Sequence, residues 1–316
     1  MTIIKKVLLI SFGFPFLLSS CNSNGQGQKI DKIDIVQTFL PGTKYLFEVQ
    51  RGKIDSKHPK IKDIKSSTAV EFTILLEKKG IYECAWKYGS TKVIGINPDL
   101  IDEQTKKFMN VHQGIEVKFN VDKSGAIKEI TNYDECKIYI ENAFKVILEN
   151  APNKATPEQY SNMMKALKSS YATPEILVST YCPELTVFFM LFGETIKSDT
   201  IYISKSYLPN PFGGRSFPSN VTTKVDSLKE NIALISVKQT IPENDLNAIM
   251  EETFIELSKL SKKPFLKNEI PKMNMATSAV FSYDYNKKVM KEVYSEKLIE
   301  TAGNSQTQTL KVKLKN

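Results

Sequence analysis

Residues 70–88 read VEFTILLEKKGIYECAWKY. Val70, Phe72, Ile74 and Leu76 fall on alternate positions, Glu77-Lys78-Lys79-Gly80 breaks the pattern, and Tyr82, Cys84, Trp86 and Tyr88 resume it. Period two places each set on one face of a strand, and the turn residues fold one strand back on the other. Polar residues hold most of the intervening positions, which predicts an antiparallel sheet with one wet side.

The same alternation extends in both directions. Upstream, Tyr45, Phe47 and Val49 share a face of an earlier strand. Downstream, Asn97-Pro98-Asp99 has the form of a helix start, predicting a helix near 99–110. A second hairpin then carries Ile115, Val117, Phe119 and Val121, turns at Asp122-Lys123-Ser124-Gly125, and returns over 126–131.

Residues 134–193 change to helical character. Ile140, Phe144, Ile147 and Leu148 recur at helical spacing, and Ala151-Pro152-Asn153 stops that helix. Thr156-Pro157 and Thr173-Pro174 each pair an N-cap with a proline suited to the first helical position. The run 185–192, LTVFFMLF, is apolar on every side and closes with Gly193. Such a run is either fully buried core or a segment that lines a ligand site or dips into a membrane.

Beyond it the strand pattern returns over 200–207, 221–228 and 231–241. Pro242 opens a helix over 243–262 with Leu246, Ile249, Met250, Phe254, Leu257 and Leu260 in one stripe. Ala279, Phe281, Tyr283 and Tyr285 lead through Asn286-Lys287-Lys288 into a return arm over 289–298, and Leu310, Val312 and Leu314 mark a closing strand. The hairpin 119–130, FNVDKSGAIKEI, aligns with 283–293, YDYNKKVMKEV, through one gap, and each follows a hairpin and a helix. An internal duplication accounts for this. The expected fold is therefore α+β, with antiparallel curved sheets in two similar halves and a helical segment between them. The halves span 43–133 and 199–316, and the helical connector 134–198.

The N-terminus carries a different message. Lys5 and Lys6 precede VLLISFGFPFLL and the boundary Leu18-Ser19-Ser20-Cys21. A basic start, about a dozen apolar residues and small residues at the boundary make a secretory signal over 1–20, and a bilayer-spanning helix would need ~20 apolar residues. Residues 21–42 are expected to form an anchor residue and a flexible tether, beginning with the polar run 22–28, NSNGQGQ. Leu18-Ser19-Ser20-Cys21 resembles the bacterial lipobox, which implies acylation of Cys21, and several acyl chains on one residue suffice for stable membrane attachment. By the sorting rule of such proteins, Asn22 in place of Asp favours the outer membrane.

The lipobox, the alternating strands and the segment 207–214, YLPNPFGG, together resemble a broad group of bacterial envelope lipoproteins. That resemblance implies an address and no activity. The architecture is also similar to the half-barrel lipid carriers of the periplasm, in which a curved sheet wraps an apolar ligand against helices; fold alone does not confer that function.

Charge excludes one class of partner. The chain has 43 Lys+Arg against 35 Asp+Glu, and without Lys5 and Lys6 the balance is 41 against 35, or +6. Arg51 and Arg215 are its two arginines. Scattered lysines interleaved with acids make a solvated surface rather than a nucleic-acid interface, which relies on arginine and on clustering. Cys84, Cys136 and Cys182 lie far apart in sequence and form no CxxC, so they point first to buried thiols, with a disulfide between two of them as the alternative. His58 and His112 fit no zinc spacing, and no nucleophile elbow, Walker loop or Rossmann glycine pattern occurs. Glu252 and Glu256 would share a helical face, most simply a solvated one. The sequence thus nominates no catalytic residue, metal ligand or cofactor.

Two readings of function remain. In the first, a lipid-anchored envelope protein binds a hydrophobic molecule in a cleft lined by Leu185, Val187, Phe188, Phe189, Met190 and Phe192. In the second, those residues pack a closed core, and the protein is a structural or interaction subunit of the envelope.

Overall fold

The computed structural model describes residues 31–56, 64–95, 113–149, 156–169, 171–208, 210, 215–261, 272–301 and 304–315. The signal segment, Cys21, both histidines, the helix expected near 99–110 and most of 207–214 lie outside the described residues.

The hairpin at 70–88 forms as its alternation dictates. Strand β3 (Ile64–Lys78) turns through Lys79 and Gly80 into β4 (Ile81–Ile94), with Lys78 opposite Ile81. Both turn residues have positive φ, 54° and 78°, the signature of a type I′ turn, whose twist matches that of the flanking strands. The meander begins with β2 (Lys44–Asp55) beside β3 and continues from β4 into β5 (Glu116–Asp122) and β6 (Ile127–Ile130).

The second strand group runs β8 (Tyr202–Leu208), β9 (Phe217–Lys229), β10 (Ile232–Thr240), β11 (Met273–Asp284), β12 (Val289–Thr301) and β13 (Asn304–Lys315). The β9–β10 turn, Glu230-Asn231, is again two residues with positive φ, 51° and 67°. In each group a hairpin is followed by a long connection and a second hairpin whose first strand pairs with the previous one, β4 with β5 and β10 with β11. This common order agrees with a duplication. The two groups are not separate sheets: β13 pairs with β2, giving one antiparallel sheet of eleven strands in the order β6-β5-β4-β3-β2-β13-β12-β11-β10-β9-β8.

Between the groups lie α1 (Tyr133–Glu149), α2 (Pro157–Ser169), α3 (Pro174–Tyr181) and α4 (Pro183–Phe189). The Thr173 hydroxyl accepts a hydrogen bond from the Ile176 amide at 3.3 Å, capping α3. A further helix, α5 (Glu243–Ser261), connects β10 to β11.

Alternation sorts the sheet into two faces. The outer face carries Glu48, Gln50, Lys311 and Lys313, none of them buried. Among the described residues, helices cover the inner face in two places. Over β2–β5, Phe188 and Phe189 of α4 stand edge-on to Phe47 and Phe119, with centroids 5.0 and 5.5 Å apart, and Trp86 and Phe72 fill the space between. Burial of each such ring contributes ~1.5–3 kcal/mol. Toward the other edge, Leu246, Ile249 and Met250 of α5 pack on Phe217, Ile241 and Met275.

The stretch 31–42, expected as part of a tether, is instead built into the body. Strand β1 (Lys32–Asp34) pairs with β7 (Thr195–Lys197), and Ile33, Ile35 and Phe39 are buried. The Tyr283 hydroxyl donates to the Val36 carbonyl at 2.5 Å and accepts from the Val36 amide at 3.2 Å. Apolar residues at 33, 35 and 39 satisfy their hydrophobic demand only by packing, which a free tether would forgo.

Candidate functional site

The strand register identifies where the inner face changes character. One row across the sheet reads Ile235, Phe281, Val293, Val312 and Val49, each directly opposite the next. Two residues further along each strand the row reads Val237, Ala279, Ser295, Leu310 and Arg51, followed by Ser66. Two further still it reads Gln239, Thr277, Lys297, Gln308 and Lys53. Directly paired residues share a face, so an apolar floor grades into a polar one within two rows.

Over this gradient, beside α4, lies a cleft of about 770 Å³. Pro183 and Val187 overhang it from α4, Leu310 is its apolar floor, and Thr277, Ser295, Lys297 and Gln308 supply polar groups. Arg51, Lys53 and Asp55 line its β2 side. Its size falls within the ~300–1,000 Å³ usual for small-molecule sites.

Arg51 has a second allegiance. Its Nη2 donates to Glu184 Oε2 at 2.6 Å, and Glu184 Oε1 accepts from the Tyr88 hydroxyl. Glu184, in the first turn of α4, has a fully buried side chain, whereas that of Arg51 keeps 34% of its exposure and reaches the cleft. Burial by itself would depress the Arg51 pKa, but the Glu184 charge holds it above the ordinary arginine value. Burial and the neighbouring Cys182 and Glu184 raise the Tyr88 phenol well above the ordinary range, so it remains a donor. These contacts fasten α4, and with it Val187, to β2 and β4.

Lys297 differs from the other cations of the inner face. It is half-buried between Thr277 and Gln308, and no ion pair or hydrogen bond engages its amine among the described residues. Desolvation lowers its pKa from the usual lysine value.

The six residues expected to line a ligand site are not brought to one surface. Val187 faces the cleft. Leu185, Phe188, Phe189 and Phe192 are buried in the aromatic cluster, and Met190 is 40% exposed. The polar lining was not nominated from sequence, although Thr277, Lys297 and Gln308 interrupt otherwise regular strands on what the alternation marks as the inner face. Cys84, Cys136 and Cys182 are free and buried. Burial raises the Cys84 thiol to about 12 and the Cys136 thiol to about 11, far from the range of a reactive thiolate. Glu256 is exposed, and Glu252 pairs with Arg215 at 3.3 Å on the solvent side of α5. Among the described residues no group of three or more His, Cys, Asp or Glu could hold a metal ion, and no helix is long and apolar enough to cross a membrane.

No known family model matches the chain. No curated protein matches it. Among solved structures, one of lipovitellin, described by its lipid–protein interactions, aligns with 88% of this chain and 26% of its own, at 8% identity and a TM-score of 0.43.

Proposed function

We propose that this chain is a bacterial envelope protein, held at a membrane through acylated Cys21, that takes a hydrophobic ligand in the cleft between α4 and the inner face of the sheet. One observation carries the ligand reading. A cleft of about 770 Å³ persists beneath Pro183 and Val187 in a body otherwise well supplied with apolar side chains to close it. The lipobox at 18–21 supports the anchor, and the outer membrane is the favoured address.

Val187→Trp tests the ligand reading. Beside a cleft the indole enters open space, so the melting temperature should hold while binding of a fluorescent lipid probe is lost. In a filled core the same change overpacks, at a cost of ~1–3 kcal/mol. A wild-type protein that binds no probe, with a variant that only melts earlier, refutes the ligand reading. For the anchor, Cys21→Ala should abolish incorporation of labelled palmitate, and unchanged incorporation refutes it.

A second reading, that of an interaction subunit, rests on edge strand β8. Ile203 and Tyr207 there are 77% and 72% exposed, and among the described residues the strand pairs on one side only, with β9. An apolar open edge is a template for another chain.

A further inference from the structure

We infer that the cleft selects an acyl chain bearing a single anionic head group, with the Lys297 amine as the group that reads the head. This rests on the ligand reading above and specifies its chemical class. The argument starts from the cost of Lys297. A half-buried ammonium without a carboxylate partner forfeits hydration and receives nothing in return. Lysines on sheet faces ordinarily swing their amines into water, but Lys297 is placed mid-strand on the inner face. Thr277 and Gln308 flank it, with Leu310 and Val187 on the apolar side of the cleft.

The neighbouring charges settle the sign. Arg51, Lys53 and Lys297 line or reach the cleft, against the carboxylates Asp55 and Glu184. The Arg51 charge is already engaged by Glu184 at 2.6 Å and Lys53 is exposed to solvent at the rim, so Lys297 carries the one half-buried, uncommitted charge of the lining among the described residues. An anion placed there would gain an ammonium donor, and the Thr277 hydroxyl and Gln308 amide lie in the same row to satisfy its remaining lone pairs. The apolar part of the ligand would lie toward Leu310, Pro183 and Val187. One such cation suits one negative charge, carried by a free fatty acid or by the phosphate of a lysophospholipid. Binding would return the lowered Lys297 pKa toward its ordinary value, because an opposite charge favours the ammonium.

The experiment uses cis-parinaric acid as a fluorescent probe, with palmitate, methyl palmitate and lysophosphatidylglycerol as competitors, on the wild-type protein, Lys297→Met and Lys297→Arg. The wild type should bind the probe, and palmitate should displace it about ten- to a hundredfold more effectively than its ester, the range expected for a hydrogen bond to a charged group. Lys297→Met should erase that preference while leaving the ester's own affinity unchanged, and Lys297→Arg should restore it. Lysophosphatidylglycerol outcompeting palmitate would assign the head as a phosphate, and the reverse as a carboxylate. Equal displacement by acid and ester on the wild type overturns the inference while the hydrophobic-ligand reading stands. Failure of the wild type to bind any of these molecules overturns both. The acid–ester comparison needs no variant, so it decides the matter even if Lys297→Met does not fold.

Discussion

Breaking the Arg51–Glu184 pair should destabilise the protein more than any other single change of charge among the described residues. Glu184 is fully buried, accepts from Arg51 at 2.6 Å and from Tyr88, and sits in the first turn of α4. Breaking a buried pair from one side costs ~3–5 kcal/mol, chiefly because the other charge is stranded. Here Arg51 retains 34% exposure, so water recovers part of the loss, and Glu184→Ala should cost about 2–4 kcal/mol. Glu184→Gln keeps the shape but only one acceptor: its amide oxygen can still accept from Arg51 while its NH2 faces the Tyr88 hydroxyl, and with the charge gone this should cost about 1–2 kcal/mol. Arg51→Met strands the fully buried partner and should cost about 3–5 kcal/mol. The double variant Arg51→Met/Glu184→Leu should recover most of either loss, since well-packed apolar replacements of buried pairs are often neutral. Urea melts at neutral pH would read these values as shifts of midpoint at constant slope. If Glu184→Ala and Glu184→Gln each cost less than about 0.5 kcal/mol, the range of an ordinary surface change, α4 is not fastened through this carboxylate. Additive losses in the double variant would refute the coupling itself.

Two further predictions concern the turns and acid stability. Gly125 and Gly114 both have positive φ, 93° and 88°, but an added Cβ at Gly125 would lie 2.9 Å from Phe192 Cβ, whereas at Gly114 it would meet nothing within 4 Å. Both alanine variants should lose ~1–2 kcal/mol to left-handed strain, and Gly125→Ala should lose ~1–3 kcal/mol more from the clash; equal melting temperatures would show that Phe192 gives way freely. Hydrogen bonds from Lys315, Ser67 and Gln50 lower the Glu48 pKa from 4.5 to about 2. At Asp122, burial pushes upward, but bonds from Lys128, Ser124 and the backbone outweigh it and bring 3.8 down to about 2. Both carboxylates are depressed on folding, so their contribution is full above about pH 4.5 and is lost as pH falls toward 2. Chemical denaturation across that window should show Glu48→Gln flattening the fall, and an unchanged slope would contradict the assignment.

The strands were legible because one inner-face side chain at every second position leaves a plain signature, as at Phe72, Ile74, Cys84 and Trp86. The α5 stripe was legible for the corresponding reason at period 3.6. The union of the two halves was not. The pairing of β13 with β2 joins residues with no local relation, and Leu310-Lys311-Val312 fits any neighbour with a complementary face. The packing of 31–42 was missed because the polar run at 22–28 overshadowed Ile33, Ile35 and Phe39. The all-apolar run 185–192 marked the helix beside the cleft but not which of its side chains face it. An all-round apolar helix turns most of its surface into core, and only Val187 and the adjoining Pro183 reach the cleft. Glu184 and Lys297 could not be distinguished in sequence from the other acids and lysines, because what singles them out is burial conferred by residues far along the chain.

The seam between β2 and β13 also sets a clock. Ser56 and Ser305, which hydrogen-bond at its end, are 249 positions apart. At synthesis rates of ~5–20 residues per second, β2 waits on the order of 10–50 s for its partner. Throughout that time Lys44–Asp55 presents an unpaired edge bearing Tyr45, Phe47 and Val49, the kind of surface that recruits other chains. Pairings this distant close slowly even in the finished chain, since loop entropy must be overcome before any contact repays it. A holding partner for the nascent chain would thus be most useful before residues 304–315 emerge, and the yield of folded protein should depend on how quickly they follow.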